Sequence, residues 1–212
     1  MFCMLRIYST LLQLWFICTA FFKKRLVTHT APSIFAIDYA RMKQSGIRAI
    51  IFDLDDTLAT WYTPITDDVI ALLTSIEKDY GMSVAILTNA SSNRAERSKH
   101  RLASHNVYFV SDTPKPLKQS FAHMCTTLDV SPSQVAAIGD RLGTDMWGAQ
   151  RANIAMRILV GPYSKISQKN DSPLIQKIVR ALEQCTYVYG FTHRNTVSSI
   201  SKKDTLDPPV SS

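Results

Sequence analysis

Ala49-Ile50-Ile51-Phe52 carries no polar side chain, and it runs directly into Asp53-Leu54-Asp55-Asp56, three carboxylates within four positions. Four apolar residues closed by a polar turn are the pattern of a strand buried on both faces, the kind used in a parallel sheet. The carboxyl end of such a strand is where an open α/β sheet keeps its ligand crevice. In an extended chain Asp53 and Asp55 share one face, while Leu54 turns back to the core. Two carboxylates on one face repel unless a cation lies between them or one is protonated. The plainer alternative is a capped turn, with Asp56 or Thr57 as a helix N-cap, and the rest of the chain argues against it.

Three more apolar runs end in polar groups. Ser83–Leu87 leads into Thr88-Asn89, a hydroxyl and an amide ahead of the polar segment 91–101. A hydroxyl beside backbone N–H groups near a helix start suits a phosphate oxygen. Val107–Val110 precedes Thr113-Pro114-Lys115-Pro116, which sets a lysine in a rigid turn before a helix expected over Leu117–Leu128. Lysine is a compact point charge suited to an anion. Val135–Ile138 leads into Gly139-Asp140-Arg141-Leu142-Gly143-Thr144-Asp145, read as a glycine-rich loop that lets two aspartates swing towards a common centre. A fifth strand is expected over Met156–Val160, followed by a break at Gly161-Pro162.

The ordered set Asp-x-Asp-x-Thr, Thr-Asn, Lys-Pro, Gly-Asp-x-x-x-Thr-Asp resembles the haloacid dehalogenase superfamily of phosphohydrolases, over roughly Ala31–Glu183. The resemblance implies a Rossmann-like α/β fold, a parallel sheet with helices on both faces. Within the superfamily, Pro32–Tyr39, Gly46–Ala49, Trp61, Lys115-Pro116 and Gly139–Leu142 with Thr144-Asp145 look like subfamily IIIA, the YqeG-like or phosphatidylglycerophosphatase family. That family commonly has asparagine where Asp56 stands, a bulky apolar residue at Gly143, and Ser-Asn at Thr88-Asn89.

Phosphoryl transfer asks a protein mainly to position groups and neutralise charge. Asp53 is the expected nucleophile, forming an aspartyl-phosphate. Asp55 is placed to protonate the leaving alkoxide and then to deprotonate water. Lys115, favoured over Lys118, and Thr88 with Asn89 would cradle the phosphate. Mg²⁺ suits this acidic crowding, since it takes oxygen ligands and binds through one or two carboxylates plus substrate phosphate. By resemblance its ligands would be the Asp53 and Asp140 side chains and the Asp55 backbone carbonyl, with Asp145 acting through a water. Arg141 reads equally as a substrate contact or a surface arginine.

Only 30 residues separate Thr57 from Thr88, and 26 lie between Asn89 and Pro116, so neither interval holds a cap domain. An open crevice suits a phosphate on something large, such as a protein, a nucleic-acid end or a lipid head group. The resemblance to the phosphatidylglycerophosphatase family implies hydrolysis of phosphatidylglycerophosphate to phosphatidylglycerol as the expected activity. A phosphatase for proteins, nucleotides or other soluble phosphates is the alternative. A phospho-accepting signalling module is the rival of another class, opposed by Asp140 and Asp145, which follow the lysine.

Composition adds the chain's surroundings. Net charge is +7, yet the first 37 residues hold Arg6, Lys23, Lys24 and Arg25 and no acid, so the basic balance is largely local. Ile7–Phe22 is uncharged and its 16 residues would span about 24 Å as a helix, short of the roughly 30 Å of a bilayer core. Segment 1–25 is read foremost as an interfacial or marginal membrane anchor. A targeting sequence, a signal peptide and a helix packed on the domain stay open. An anionic phospholipid partner and a cytoplasmic or organelle-matrix face follow from the first reading, the mitochondrial inner membrane in a eukaryote. The basic run Arg94, Arg97, Lys99, His100, Arg101 is read as a solvated helix face. No aromatic residues interleave it, and nucleic acid is not expected. Four scattered cysteines and five histidines show no ligand spacing. The phosphatase domain is expected to span 31–189, closing with a helix over Pro173–Tyr189, and 190–212 is expected to be a disordered tail.

Overall fold

All four residues of Ala49–Phe52 are buried, as a strand paired on both edges and covered on both faces requires. The structure is a computed structural model that describes residues 26–60, 63–90, 92–103, 107–110, 114–161 and 198–200. Its strands are β1 (His29–Ala31), β2 (Ala49–Phe52), β3 (Ser83–Leu87), β4 (Val107–Val110), β5 (Val135–Gly139), β6 (Met156–Val160) and β7 (Ser198–Ser199). They form one sheet in the order β4-β3-β2-β5-β6-β1-β7, with every pair parallel.

The alternation of side chains along these strands divides the core in two. Ile50, Phe52, Val84, Ile86, Ala136 and Ile138 face one layer, while Ala49, Ile51, Ala85, Leu87, Val135 and Ala137 face the other. Helix α1 (Tyr39–Gln44) and helix α2 (Asp67–Lys78) cover the first layer through Tyr39, Met42, Val69, Leu73 and Ile76. The spacing of Val69, Leu73 and Ile76 is that of one helical face. Asp67 and Asp68 in the first turn of α2 and Lys78 in its last suit the helix dipole. Helix α3 (Ser92–Arg101) follows β3. Helix α4 (Lys118–Thr127) and the short α5 (Trp147–Arg151) cover the second layer through Phe121, Met124, Cys125 and Ala149. Each large apolar side chain so removed from water contributes about 1.5–3 kcal/mol. The helix expected over Leu117–Leu128 is α4, with Leu117 and Leu128 as its caps.

Among the described residues the β2–β3 and β3–β4 connections hold one helix each, and no cap domain stands over the sheet. The sheet is wider than the five strands expected, because β1 and β7 extend it beyond β6. Within the stretch 190–212, expected to be a disordered tail, residues 198–200 are instead built into the fold. Ser198 and Ser199 pair with β1, and Ile200 is 2% exposed, donating to Thr30 O and accepting from Asp38 N. The unpaired backbone groups of β1 supply the reason, since a buried strand edge needs partners whatever the side chains beside it. The apolar segment 1–25 and the expected helix over Pro173–Tyr189 lie outside the described residues. No helix of the described residues is long and apolar enough to cross a membrane.

Candidate active site

The winding of the chain reverses at β2, with β3 and β4 on one side and β5 and β6 on the other. In such sheets the ligand crevice lies beyond the carboxyl ends of the strands at this point. Phe52 pairs with both Ile86 and Ile138, so Asp53, Thr88 and Asp140 leave the sheet at nearly one level.

The first acidic segment is a tight turn. Asp53 N still donates to Ile138 O, at 2.9 Å, before Leu54 buries itself completely. Leu58 N and Ala59 N then both donate to Leu54 O, each at 3.0 Å, and Asp56 N donates to Ala59 O at 2.7 Å. Asp56 has φ 63, a left-handed conformation in which aspartate and asparagine are tolerated better than most residues. Asp56 is thereby a turn residue.

Lys115 reaches this turn from the segment that follows the edge strand β4. It is 3% exposed, and its Nζ donates to Asp53 Oδ1 at 2.5 Å and to Asp145 Oδ1 at 2.6 Å. Thr57 Oγ1 donates to the other Asp53 oxygen, Oδ2, at 3.3 Å, so both ends of that carboxylate are held. Burial raises the Asp53 pKa above the ordinary carboxylate range; Lys115 opposes the rise, and the Asp145 and Asp55 charges add to it. Burial alone would lower the Lys115 pKa, but the charges of Asp145 and Asp53 outweigh it and hold the ammonium above the usual lysine range. Lys118, by contrast, is exposed on α4.

The second acidic segment departs from its expected form. It is a helical turn of π type over Leu142–Met146, continuous with α5, and not a loose loop. Asp145 therefore arrives on a rigid element. Its Oδ2 accepts from Arg141 N at 3.1 Å, and Thr144 Oγ1 donates to its Oδ1 at 3.4 Å. Gly139 makes room for it: a Cβ there would come within 2.5 Å of Asp145 Cγ and 2.7 Å of Asp145 Cβ. Because Asp145 is also tied to Lys115 and Arg141, it has little freedom to give way. Gly139→Ala is therefore expected to fold while losing roughly 10²-fold in turnover through a displaced carboxylate. Steady-state kinetics beside a thermal melt checks this.

Asp53, Asp140 and Asp145 each offer an oxygen within 4.8 Å of the others. Three carboxylates less one ammonium leave two negative charges in this cluster. Hard oxygen donors with that balance fit a divalent cation such as Mg²⁺.

Thr88 is completely buried, and its Oγ1 accepts from Ala90 N at 3.0 Å, which leaves the hydroxyl proton to donate. Asn89 takes a different part from the phosphate contact expected of it. Its Oδ1 accepts from Lys115 N at 2.7 Å and its Nδ2 donates to Lys115 O at 3.1 Å, so the amide clamps the lysine's backbone. Asp55 turns its carboxylate to Arg94, whose Nε donates to Oδ1 at 2.5 Å. Burial raises the Asp55 pKa and Arg94 opposes the rise. Arg94 and Thr57 were not among the expected site residues. Thr57 stood in the Asp-x-Asp-x-Thr pattern itself; Arg94 was hidden among its basic neighbours.

A family model of haloacid dehalogenase-like hydrolases matches residues 59–153, a span that takes in Thr88, Lys115, Asp140 and Asp145 and begins just after Asp53 and Asp55. The chain is 28% identical over 132 residues to the probable phosphatase YqeG of Bacillus subtilis, covering 62% of this chain and 74% of that protein. It is 27% identical over 109 residues to an N-acylneuraminate-9-phosphatase of Mus musculus, covering 48% of this chain but only 43% of that one. Among solved structures, the cobalt-bound deoxy-D-mannose-octulosonate 8-phosphate phosphatase (YrbI) of Haemophilus influenzae is 14% identical, with a TM-score of 0.41 over 71% of this chain and 97% of its own. That overlap adds nothing to the strand order. The matched family and the relatives in sequence agree in kind: over residues 59–153 the chain is similar to haloacid dehalogenase-like hydrolases, and it is a phosphatase.

Proposed function

We propose that this phosphatase is Mg²⁺-dependent, works through an aspartyl-phosphate on Asp53, and dephosphorylates phosphatidylglycerophosphate. The observation that carries the chemistry is the buried Lys115 ammonium bridging Asp53 and Asp145. It holds one oxygen of Asp53, Thr57 holds the other, and the carboxylate is aimed before substrate arrives.

An Asp53 oxygen attacks phosphorus as the bond to the leaving oxygen breaks, and Asp55 gives that oxygen its proton. Asp55, now a carboxylate, takes a proton from water, which attacks the aspartyl-phosphate; inorganic phosphate leaves and Asp53 is restored. Thr88 donates its hydroxyl proton to a phosphate oxygen, and Lys115 neutralises charge that builds on the transferring group. Asp53, Asp140 and the Asp55 backbone carbonyl would hold Mg²⁺, with Asp145 behind them. When bound, the cation screens the anionic nucleophile from the anionic phosphate.

The substrate rests on other support. The segments Pro32–Tyr39 and Gly46–Ala49 resemble the phosphatidylglycerophosphatase family, and among the described residues no cap domain restricts the size of what enters. The apolar segment 1–25 would rest on the membrane whose anionic lipid carries the phosphate, on its cytoplasmic or matrix face. The test is phosphate release by the full chain from phosphatidylglycerophosphate in detergent micelles, beside N-acylneuraminate 9-phosphate and p-nitrophenyl phosphate. Expected are a Mg²⁺ requirement, loss with EDTA, and a kcat/KM on the lipid at least about tenfold above the soluble esters. Turnover of soluble esters with none of the lipid would contradict the substrate while leaving the phosphatase intact.

A further inference from the structure

We infer that Arg94 is a positioning residue for Asp55, holding the proton-transferring carboxylate in one orientation; this rests on the acid/base part given to Asp55 above. Helix α3 turns Arg94, Ala95 and Ser98 inward, with Leu102 just beyond its end, while Arg97, Lys99, His100 and Arg101 stay exposed. That is one helical stripe, and it takes a single arginine out of a basic run.

The Arg94 guanidinium then spends its donors on the catalytic turn. Nε donates to Asp55 Oδ1 at 2.5 Å, one terminal nitrogen donates to Thr60 O, and the other donates to Thr63 O at 3.4 Å. One planar group thus ties Asp55 to the chain that leaves it, across 31 to 39 residues of sequence. Lysine cannot make this fork, because its three donors radiate from a point. Among the described residues Asp55 Oδ2 takes no hydrogen bond, so one oxygen is held and the other is left to carry the proton.

A stability role accounts poorly for the pair. The side chains are 10% and 15% exposed, and an apolar pair of similar volume is often as stable as a buried ion pair. Direction is what the fork supplies. A carboxylate free to rotate would meet the leaving oxygen in only a fraction of encounters, and the loss would grow with the leaving group's need for a proton.

The experiment compares p-nitrophenyl phosphate, whose phenolate departs unaided, with phenyl phosphate, whose does not. The full chain with Mg²⁺ is assayed as wild type, Asp55→Asn, Arg94→Ala and Arg94→Lys. Asp55→Asn and Arg94→Ala are both expected to raise the ratio of kcat/KM on the nitrophenyl ester to that on the phenyl ester by about tenfold or more. Arg94→Lys keeps the charge and raises it less; if the alanine variant fails to fold, the lysine variant carries the test. A raised ratio in Asp55→Asn, with equal losses on both esters in the Arg94 variants, overturns the positioning of Asp55. A wild-type ratio in Asp55→Asn removes the acid/base reading itself, and this inference with it.

Discussion

Asp53→Asn is expected to stop phosphate release, lowering turnover by roughly 10⁴-fold or more, the order seen when a covalent nucleophile is removed. An amide cannot attack phosphorus at a useful rate, and the neighbouring Asp145 and Asp55 are engaged elsewhere, Asp145 by Lys115 and Arg141 and Asp55 by Arg94. The variant is also expected to fold. Burial penalises the ionised Asp53, and the neighbouring Asp145 and Asp55 charges add to the penalty, so a neutral side chain of the same shape relieves it. Lys115 keeps its bond to Asp145. Without added Mg²⁺, the melting temperature of Asp53→Asn should equal or exceed that of the wild type. A residual rate within tenfold of wild type would mean that another group attacks.

Lys115→Met has the second largest expected effect, and it acts on stability as well as rate. Lys115 is 3% exposed, and its ammonium answers two carboxylates that are themselves buried. Removing it leaves those charges without their counterion, at a cost of about 3–5 kcal/mol. For a chain of this size that lowers the melting temperature by roughly 10 °C. Turnover falls by about 10²–10³-fold with the lost electrostatic donor. Added Mg²⁺ should restore more melting temperature in this variant than in the wild type, since the carboxylates now lack the ammonium that shared their charge. Lys118→Met, three residues on and exposed, should stay within about 0.5 kcal/mol of wild type. Equal melting of the Lys115 variant and the wild type would contradict the buried bridge.

Strand ends were legible in the sequence because each apolar run stops abruptly at a group that chemistry needs. Ala49–Phe52 stops at Asp53 and Ser83–Leu87 at Thr88, and the parallel register brings those stops to one level. What escaped notice was not written in local pattern. Strand β7 is two serines, and it forms because β1 offers an unpaired edge far away in sequence. Asn89 was taken for a phosphate group because an amide after a strand looks like one; only the tertiary fold shows both its ends engaged by the Lys115 backbone. Arg94 sits among four other basic residues, and hydropathy does not distinguish the one that faces inward. Helical phase would have helped, since Arg94 lies in step with Ser98 and Leu102.

The most direct test of the account is where the phosphoryl group rests during turnover. Labelled substrate is mixed with the full chain and Mg²⁺, quenched in acid within one turnover, and the protein is digested and mapped. The label is expected on the peptide that holds Asp53, and on no peptide of Asp53→Asn. Turnover that continues with no label on the protein, or with the label on a different residue, would contradict it.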